Sequence, residues 1–208
     1  MNAEQQTVYV VDDDAAMHKI LRRLVGSVGL RVETFGSASE FLDVASPHTV
    51  GCAILDVRMP GMSGLDLQRE LRERRVWLPV IVVSGHADVS MAVRAMKGGA
   101  YDFIEKPFND HELLEKVQKA LEFGEQVRQT EQRRQLIDDR IATLTPRERQ
   151  VMEMVVNGMA NKQVAAELGL SEKTIEVHRK HVMDKMQAGN VADLIRMAMR
   201  ASTIQAID

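Results

Sequence analysis

The chain has 208 residues, a formal net charge of -3 at pH 7, 45% hydrophobic residues and 4% aromatic residues. This length suits two domains with aliphatic cores, and the charge excludes a strongly basic protein. No run approaches the roughly 18 apolar residues of a membrane span, and the first residues lack the features of a secretory signal. The single cysteine, Cys52, cannot form an internal disulfide, which fits a reducing compartment. We therefore expect a soluble, cytoplasmic protein without a membrane partner.

Short apolar runs alternate with stretches of helical spacing along the first 122 residues. The predicted strands are residues 7–11, 31–35, 52–56, 80–83 and 102–105, and a helix is predicted after each of them. Asp14 is the expected cap of the first helix, and the helix that begins at Leu65 is expected to run up to Pro79. Five alternations of strand and helix predict a parallel sheet with helices on both faces.

Polar side chains lie at the ends of four of these strands. In a parallel sheet such ends share one edge, where ligands bind. Carboxylates crowded there repel one another unless a cation lies among them, and hard oxygen ligands suit Mg²⁺. An ammonium group and a hydroxyl complete a site for phosphoryl transfer, which depends mainly on positioning and charge. The side chains are Asp12, Asp13, Asp56, Ser84 and Lys106, with Asp56 as the predicted phosphoryl acceptor.

The stretch after the first domain permits two interpretations. Residues 112–135 contain no proline, and Gly124 is their only helix breaker. A flexible charged linker is one possibility. We favour a helix that continues from the first domain through residues 123–142, with Leu136 and Ile141 contacting a second domain. Transmission of dimer geometry by this arm is a hypothesis.

Residues 143–208 are predicted to form a second, smaller all-α domain. They carry 9 basic and 8 acidic side chains, against 14 and 18 in residues 1–122, which favours a different role. Thr145, Pro146 and Glu148 form a capping-box helix start. Three further helices are expected over residues 161–168, 171–186 and 190–200. A short helix, a glycine turn and a longer basic helix predict a helix-turn-helix.

The third of these helices has two distinct faces. His178 falls on the apolar face and is expected to pack there. The other face mixes cations, an acceptor and a small apolar group, as helices that read base edges and phosphates do, although most charged faces are only solvated. That face carries Lys173, Glu176, Val177, Lys180 and Asp184, with Arg179 beside it.

Four motifs resemble, in their order and spacing, the signature of bacterial response-regulator receiver domains. They are Val11-Asp12-Asp13-Asp14, Asp56-Val57-Arg58-Met59-Pro60-Gly61, Ser84-Gly85-His86 and Phe103-Ile104-Glu105-Lys106-Pro107-Phe108. The resemblance covers residues 6–122. It implies a flavodoxin-like, doubly wound α/β fold with strand order 2-1-3-4-5.

The same resemblance implies roles for individual residues. Asp56 is the phosphorylated aspartate, and Mg²⁺, for which Mn²⁺ or Ca²⁺ substitutes, is bound by Asp13, Asp56 and the Arg58 carbonyl, with Asp12 acting mainly through water. The remaining assignments are Ser84 as the switch hydroxyl, Phe103 as the switch aromatic, Lys106 as the phosphate ligand, a cis Lys106–Pro107 bond, and a structural or solvent role for His86. For Phe103, burial in an ordinary core remains an alternative to the switching role.

The second domain resembles LuxR-type DNA-binding domains. The matching segments are Leu144-Thr145-Pro146-Arg147-Glu148, Asn161-Lys162 and Thr174-Ile175-Glu176-Val177-His178. Together the two domains resemble the NarL/FixJ class of response regulators, and most closely its FixJ-like branch. The implied base contacts are Glu176, Val177 and Lys180, and the implied DNA-backbone contacts are Lys173, Thr174 and Arg179.

These resemblances imply a phosphorylation-activated transcription regulator that is not an enzyme. A sensor histidine kinase would phosphorylate it, and it would then bind double-stranded promoter DNA as a homodimer, with RNA polymerase as a further partner. One alternative is a phosphohydrolase with an aspartyl-phosphate, although Arg58 stands where the haloacid-dehalogenase type has an acid. The other is a receiver-shaped binding module that needs no phosphorylation.

Overall fold

The computed structural model describes residues 6–85 and 89–201, so His86 lies outside the described residues. The chain divides into two compact units, Met1–Val127 and Arg128–Asp208. The strands are β1 (Thr7–Val11), β2 (Arg31–Phe35), β3 (Gly51–Asp56), β4 (Val80–Ser84) and β5 (Asp102–Glu105). The helices are α1 (Ala15–Gly26), α2 (Ala38–Val44), α3 (Gly64–Glu73), α4 (Val89–Lys97), α5 (Asp110–Ala142), α6 (Pro146–Val156), α7 (Asn161–Leu168), α8 (Glu172–Met186) and α9 (Val191–Arg200).

The strands of the first unit form one parallel sheet in the order β2-β1-β3-β4-β5. In its register, Val11 lies beside Leu55, Leu55 beside Val82, and Val83 beside Ile104. The carboxyl ends of the four strands β1, β3, β4 and β5 therefore lie side by side. A helix connects each strand to the next, as parallel strands require. The predicted flavodoxin-like fold and strand order are confirmed.

Both faces of this sheet are covered by aliphatic cores. Ile54 of β3 belongs to the core that contains Leu113 of α5. Its neighbour Leu55 belongs to the core on the other face, with Leu67 of α3. This division arises because successive strand residues point to opposite faces. Each fully buried side chain of this kind contributes about 1.5–3 kcal/mol to the stability of the fold. These contacts hold the end of β3 rigidly.

Helix α3 ends well before Pro79, so the expectation that it runs up to that proline was wrong. Arg75 adopts a left-handed conformation with φ of 58°. Its amide donates to Arg72 O at 3.0 Å, and the Val76 amide donates to Leu71 O at 2.8 Å, which is a Schellman ending. Glycine is the usual residue at such a position, so an arginine there leaves no ending signal in the sequence.

Helix α5 includes all of residues 123–142. Near its end, Ile137 and Ile141 are 6% and 1% exposed in the core of the second unit, whereas Leu136 is 51% exposed. The expected contact by Leu136 was therefore wrong. Residues four apart share one helix face, so Ile137 lies with Ile141 and Leu136 points elsewhere. Neither α5 nor another helix within residues 6–85 and 89–201 is long and apolar enough to cross a membrane.

The second unit contains the end of α5 and helices α6 to α9. Thr145 starts α6 with the predicted capping box: its amide donates to Glu148 Oε2 at 2.8 Å, and its hydroxyl accepts from the Glu148 amide at 3.3 Å. Gly169, with φ of 64°, turns the chain between α7 and α8. The short helix, glycine turn and longer helix are present as predicted. The core of the unit includes Val151, Met152, Val164, Ile175, Val182 and Met186.

Candidate functional site

Two buried carboxylates and one ammonium group meet at the carboxyl edge of the sheet. Asp12 follows β1, Asp56 ends β3, and Lys106 follows β5. The Lys106 Nζ atom donates to Asp12 Oδ2 and to Asp56 Oδ1, both at 2.7 Å. Asp12 and Asp56 are only 4% and 8% exposed. Three of the residues predicted from strand ends thus form one hydrogen-bonded cluster, which we call the carboxylate cluster.

The backbone after each strand holds these carboxylates in place. Asp56 Oδ2 accepts a hydrogen bond from the Arg58 amide at 2.6 Å, and Asp12 Oδ1 accepts one from the Asp14 amide at 2.9 Å. The chain after Asp56 then returns so closely that a Cβ atom at Gly64 would lie 2.2 Å from Asp56 O. Glycine alone fits there. Asp14 caps α1, as predicted.

The charges of the carboxylate cluster are unbalanced. Burial alone would lower the pKa of the Lys106 ammonium group, but its hydrogen bonds to Asp12 and Asp56, together with their charges, outweigh burial and raise that pKa. Lys106 is therefore a cation at neutral pH. One ammonium group facing two carboxylates leaves an excess negative charge, and exposed Asp13 stands next in the chain.

Asp13 lines an open cleft of about 580 Å³ together with Arg58, Met59, Met91 and Arg94. In the part of the chain that the structure describes, no three His, Cys, Asp or Glu side chains are grouped so that they could hold a metal ion. Two of the predicted ligands instead hold Lys106. Their oxygen atoms, their burial and the excess negative charge nevertheless fit a hard divalent cation.

The predicted switch residues lie on the two neighbouring strands. Ser84 ends β4 and is 1% exposed. Phe103 of β5 is half-buried and packs against the core that contains Leu55, which is compatible with either of its predicted roles. The Lys106–Pro107 bond is cis, as predicted.

Replacing Lys106 by methionine is expected to lower the free energy of unfolding by about 3 kcal/mol, because two buried carboxylates would face each other without a counter-charge. Adding Asp12→Asn to that variant removes one of the two charges and should restore part of the loss. Chemical denaturation at pH 7 measures both changes.

Lys116 provides a matched control for this prediction. Its side chain is 22% exposed, against 19% for Lys106, and its Nζ atom binds Asp102 Oδ2 at 2.7 Å. Because the Asp102 side chain is 34% exposed, water can solvate it when Lys116 is absent. Lys116→Met should therefore lower the free energy of unfolding by less than about 1 kcal/mol. Equal losses in the two lysine variants would contradict our interpretation of the cluster.

An exposed stripe runs along α8. Two of the predicted DNA contacts at its border also make hydrogen bonds within the domain: the Thr174 hydroxyl lies 2.8 Å from the Ser171 hydroxyl, and Arg179 Nη1 donates to Asn161 Oδ1 at 2.7 Å. His178 is half-buried with its Nδ1 atom inside the domain, in line with packing. The exposed candidates are Lys173, Glu176, Val177 and Lys180.

Glu148 has a second partner that the sequence did not reveal. Buried Glu148, besides capping α6, accepts a hydrogen bond from Lys185 Nζ of α8 at 2.6 Å. This hydrogen bond, followed by that from the Thr145 amide, lowers the pKa of Glu148 from 4.5 to about 2. The two residues are 37 positions apart, so no local pattern joins them.

Two family patterns match this chain. Residues 8–118 match the response regulator receiver domain, and residues 142–198 match bacterial regulatory proteins of the luxR family. Nodulation protein W of Bradyrhizobium diazoefficiens is 50% identical to this chain over 92% of this chain and 84% of its own length. Transcriptional regulatory protein FixJ of the same species is 44% identical over 95% of this chain and 96% of its own length. The structure of response regulator StyR has a TM-score of 0.86 and 40% identity over 94% of this chain and 99% of its own.

Proposed function

We propose that phosphorylation of Asp56 promotes DNA binding by this chain, which belongs to the response regulators that join a receiver domain to a LuxR-type DNA-binding domain. The predicted family is thereby confirmed. Its members are transcription regulators, and the family is non-enzymatic. The phosphohydrolase alternative was therefore wrong.

We assign the receiver domain to residues 1–122, a helical linker to residues 123–142 and the DNA-binding domain to residues 143–208. The matched range 8–118 lies within the first of these, and the range 142–198 begins one residue before the last. The uninterrupted helix α5 supports a helical linker.

The carboxylate cluster is the observation that carries the proposed role of Asp56. One oxygen of Asp56 is held by Lys106 and the other by the Arg58 amide, so the carboxylate is oriented at the end of a rigid strand. In the transfer, an Asp56 oxygen bonds to phosphorus while the bond between phosphorus and the donor's leaving group breaks. Lys106 and the Ser84 hydroxyl then face the charged phosphoryl oxygens, which suits a reaction governed by positioning and charge.

The family binds Mg²⁺ in general, and the donor set of this chain fits that ion. Asp12, Asp13, Asp56 and the Arg58 carbonyl would hold it, with Mn²⁺ or Ca²⁺ as substitutes. When bound, the ion supplies positive charge for the phosphoryl oxygens. The excess negative charge of the carboxylate cluster supports this assignment, because a divalent cation offsets it.

Phosphorylation is proposed to favour a homodimer. Ser84 moves toward the phosphoryl group and Phe103 repacks, which shifts the population toward an active form. The exposed apolar side chains of α4 support a partner surface there, since Val89 is 82%, Val93 44% and Met96 47% exposed. A dimer brings two copies of α8 to paired half-sites.

We place α8 in the major groove of promoter DNA. Glu176, Val177 and Lys180 contact base edges, and the exposure of all three supports this role. The proposed contacts to the DNA backbone are Lys173, Thr174 and Arg179. The near-neutral charge of residues 143–208 means that one copy binds weakly, which agrees with binding as a dimer.

The family also defines the partners. A receiver domain implies a histidine kinase, and a LuxR-type domain implies DNA. We propose in addition that the kinase is a sensor, that the DNA-bound dimer acts on RNA polymerase, and that the protein works in the cytoplasm.

Mapping of the phosphorylated residue tests this function. Incubation of the full chain with phosphoramidate and Mg²⁺ should add the mass of one phosphoryl group, and borohydride reduction before digestion should place the modification at Asp56. A second receiver-domain protein, labelled in parallel, checks the donor. Modification elsewhere, or none while the second protein is labelled, contradicts the proposal and favours the binding module that needs no phosphorylation.

A further inference from the structure

The last turns of α5 are part of the core of the DNA-binding unit. Ile137 and Ile141 are buried in the same cluster as Met152 of α6 and as Val182 and Met186 of α8. The Leu144 amide donates to Ile141 O at 3.0 Å, which joins α5 closely to the turn before α6. The core of this unit therefore includes a helical segment that precedes residue 143.

Arg140 projects from this segment to the end of α8. Its Nη1 atom donates to Met186 O at 3.1 Å, and its Nη2 atom donates to Gln187 Oε1 at 2.6 Å. Gln187 is the left-handed residue that closes α8, with φ of 53°. The last carbonyl groups of a helix lack partners within the helix and carry its negative dipole end. The guanidinium group of Arg140 supplies both a donor and a positive charge there.

Lys185 ties the same turn of α8 to other parts of the unit. Its Nζ atom donates to Thr143 O at 3.2 Å and to Glu148 Oε2 at 2.6 Å. The carboxyl-terminal turn of α8 is thus held from α5, from the loop after it and from α6. Two of the three proposed base-contacting residues, Glu176 and Val177, lie nearer the other end of α8, so the orientation of the held turn affects the direction in which they project.

We propose that Arg140 is a positioning residue for DNA recognition, which rests on the proposed function of α8. By holding Met186 O and Gln187, it fixes the axis of α8 against the end of α5. Arginine suits this task because its planar fork reaches two acceptors at once, whereas a lysine provides one compact charge. Displacement of the last turn of α5 would remove the Arg140 contacts from the end of α8, so the linker helix and the DNA-reading helix are coupled at this residue.

The Arg140→Gln variant of the full chain tests this inference. The probes are a duplex that the wild-type protein selects from a random-sequence pool and a scrambled duplex of the same composition. Arg140→Gln should bind the selected duplex about tenfold more weakly than a control variant, Arg134→Gln, does, which is equivalent to ~1.4 kcal/mol. The two variants should bind the scrambled duplex equally well, so the ratio of the affinity for the selected duplex to that for the scrambled duplex falls in Arg140→Gln. Arg140→Lys should give an intermediate ratio.

Arg134→Gln is the matched control, because Arg134 is exposed in the same helix and pairs with Glu131 of that helix. It removes the same charge and leaves the end of α8 untouched. Equal ratios for Arg140→Gln and Arg134→Gln overturn the inference. A loss on both duplexes that matches the unfolded fraction seen by circular dichroism also overturns it, since Arg140 would then affect stability alone.

A Val177→Glu variant separates this inference from the proposed function. If Val177→Glu keeps the wild-type preference for the selected duplex, the proposed reading face of α8 is wrong, and the inference fails with it. If Val177→Glu loses the preference while Arg140→Gln keeps it, only the positioning role of Arg140 is wrong.

Discussion

The Asp56→Asn variant is expected to take up no phosphoryl group and to show no gain in DNA affinity when treated with phosphoramidate and Mg²⁺. A neutral amide is a poor nucleophile and cannot form the acyl phosphate. Its oxygen can still accept a hydrogen bond from Lys106 or the Arg58 amide, so the fold should persist. In the wild type, we expect the same treatment to raise DNA affinity roughly 5- to 150-fold, as is typical of coupling between two sites.

Phosphate-affinity gels, sizing chromatography and fluorescence anisotropy with a two-half-site duplex measure these effects. Asp14→Asn is the matched control: Asp14 is exposed close to the site and caps α1, and asparagine caps helices as well as aspartate does. This variant should behave as the wild type does. A gain in affinity for treated Asp56→Asn, or loss of uptake in Asp14→Asn, would contradict a specific role for Asp56.

The Glu148→Ala variant is expected to lower the free energy of unfolding of the DNA-binding unit by about 3 kcal/mol. It removes a capping-box acceptor, which contributes about 1 kcal/mol, and a charge-assisted hydrogen bond to Lys185, which contributes roughly 1.5–3 kcal/mol. Each kcal/mol should lower the Tm of so small a domain by about 4–8 °C. Differential scanning calorimetry resolves such a shift.

The Glu148→Gln variant isolates the charge, since glutamine can still complete the capping box. In the native protein the pKa of Glu148 falls from 4.5 to about 2. Its carboxylate therefore stabilises the fold fully above pH 4.5, and this stabilisation is lost as the pH falls from 4.5 toward 2. The stability difference between wild type and Glu148→Gln should shrink over that window.

Two controls accompany this pH series. His181 Nδ1 lies 3.6 Å from Glu148 Oε1, so the comparison is repeated with His181→Gln added to both proteins, which removes this neighbouring imidazole. Glu167→Gln changes an exposed glutamate of α7 and should alter stability by less than about 0.5 kcal/mol at any pH. A difference between wild type and Glu148→Gln that grows on acidification would contradict the assigned direction of the pKa shift.

The sequence by itself determined the elements and their order, because the signals for them are local. Apolar runs marked β3 and β4, and cap residues such as Asp14 and Thr145 act within a few residues of their own position. It also determined that Asp12, Asp56 and Lys106 would meet, since parallel strands joined by helices must all end at one edge of the sheet.

Only the tertiary structure decided which partners these side chains take. Lys106 lies between two carboxylates, Ile137 rather than Leu136 enters a core, and Glu148 binds a lysine 37 positions away. The tertiary structure likewise decided that α3 ends at a left-handed arginine and that Arg140 contacts Met186 O. Each depends on distances and burial that arise when helices pack, and a buried polar group takes whichever partner the packing brings within reach. No local pattern contains that information.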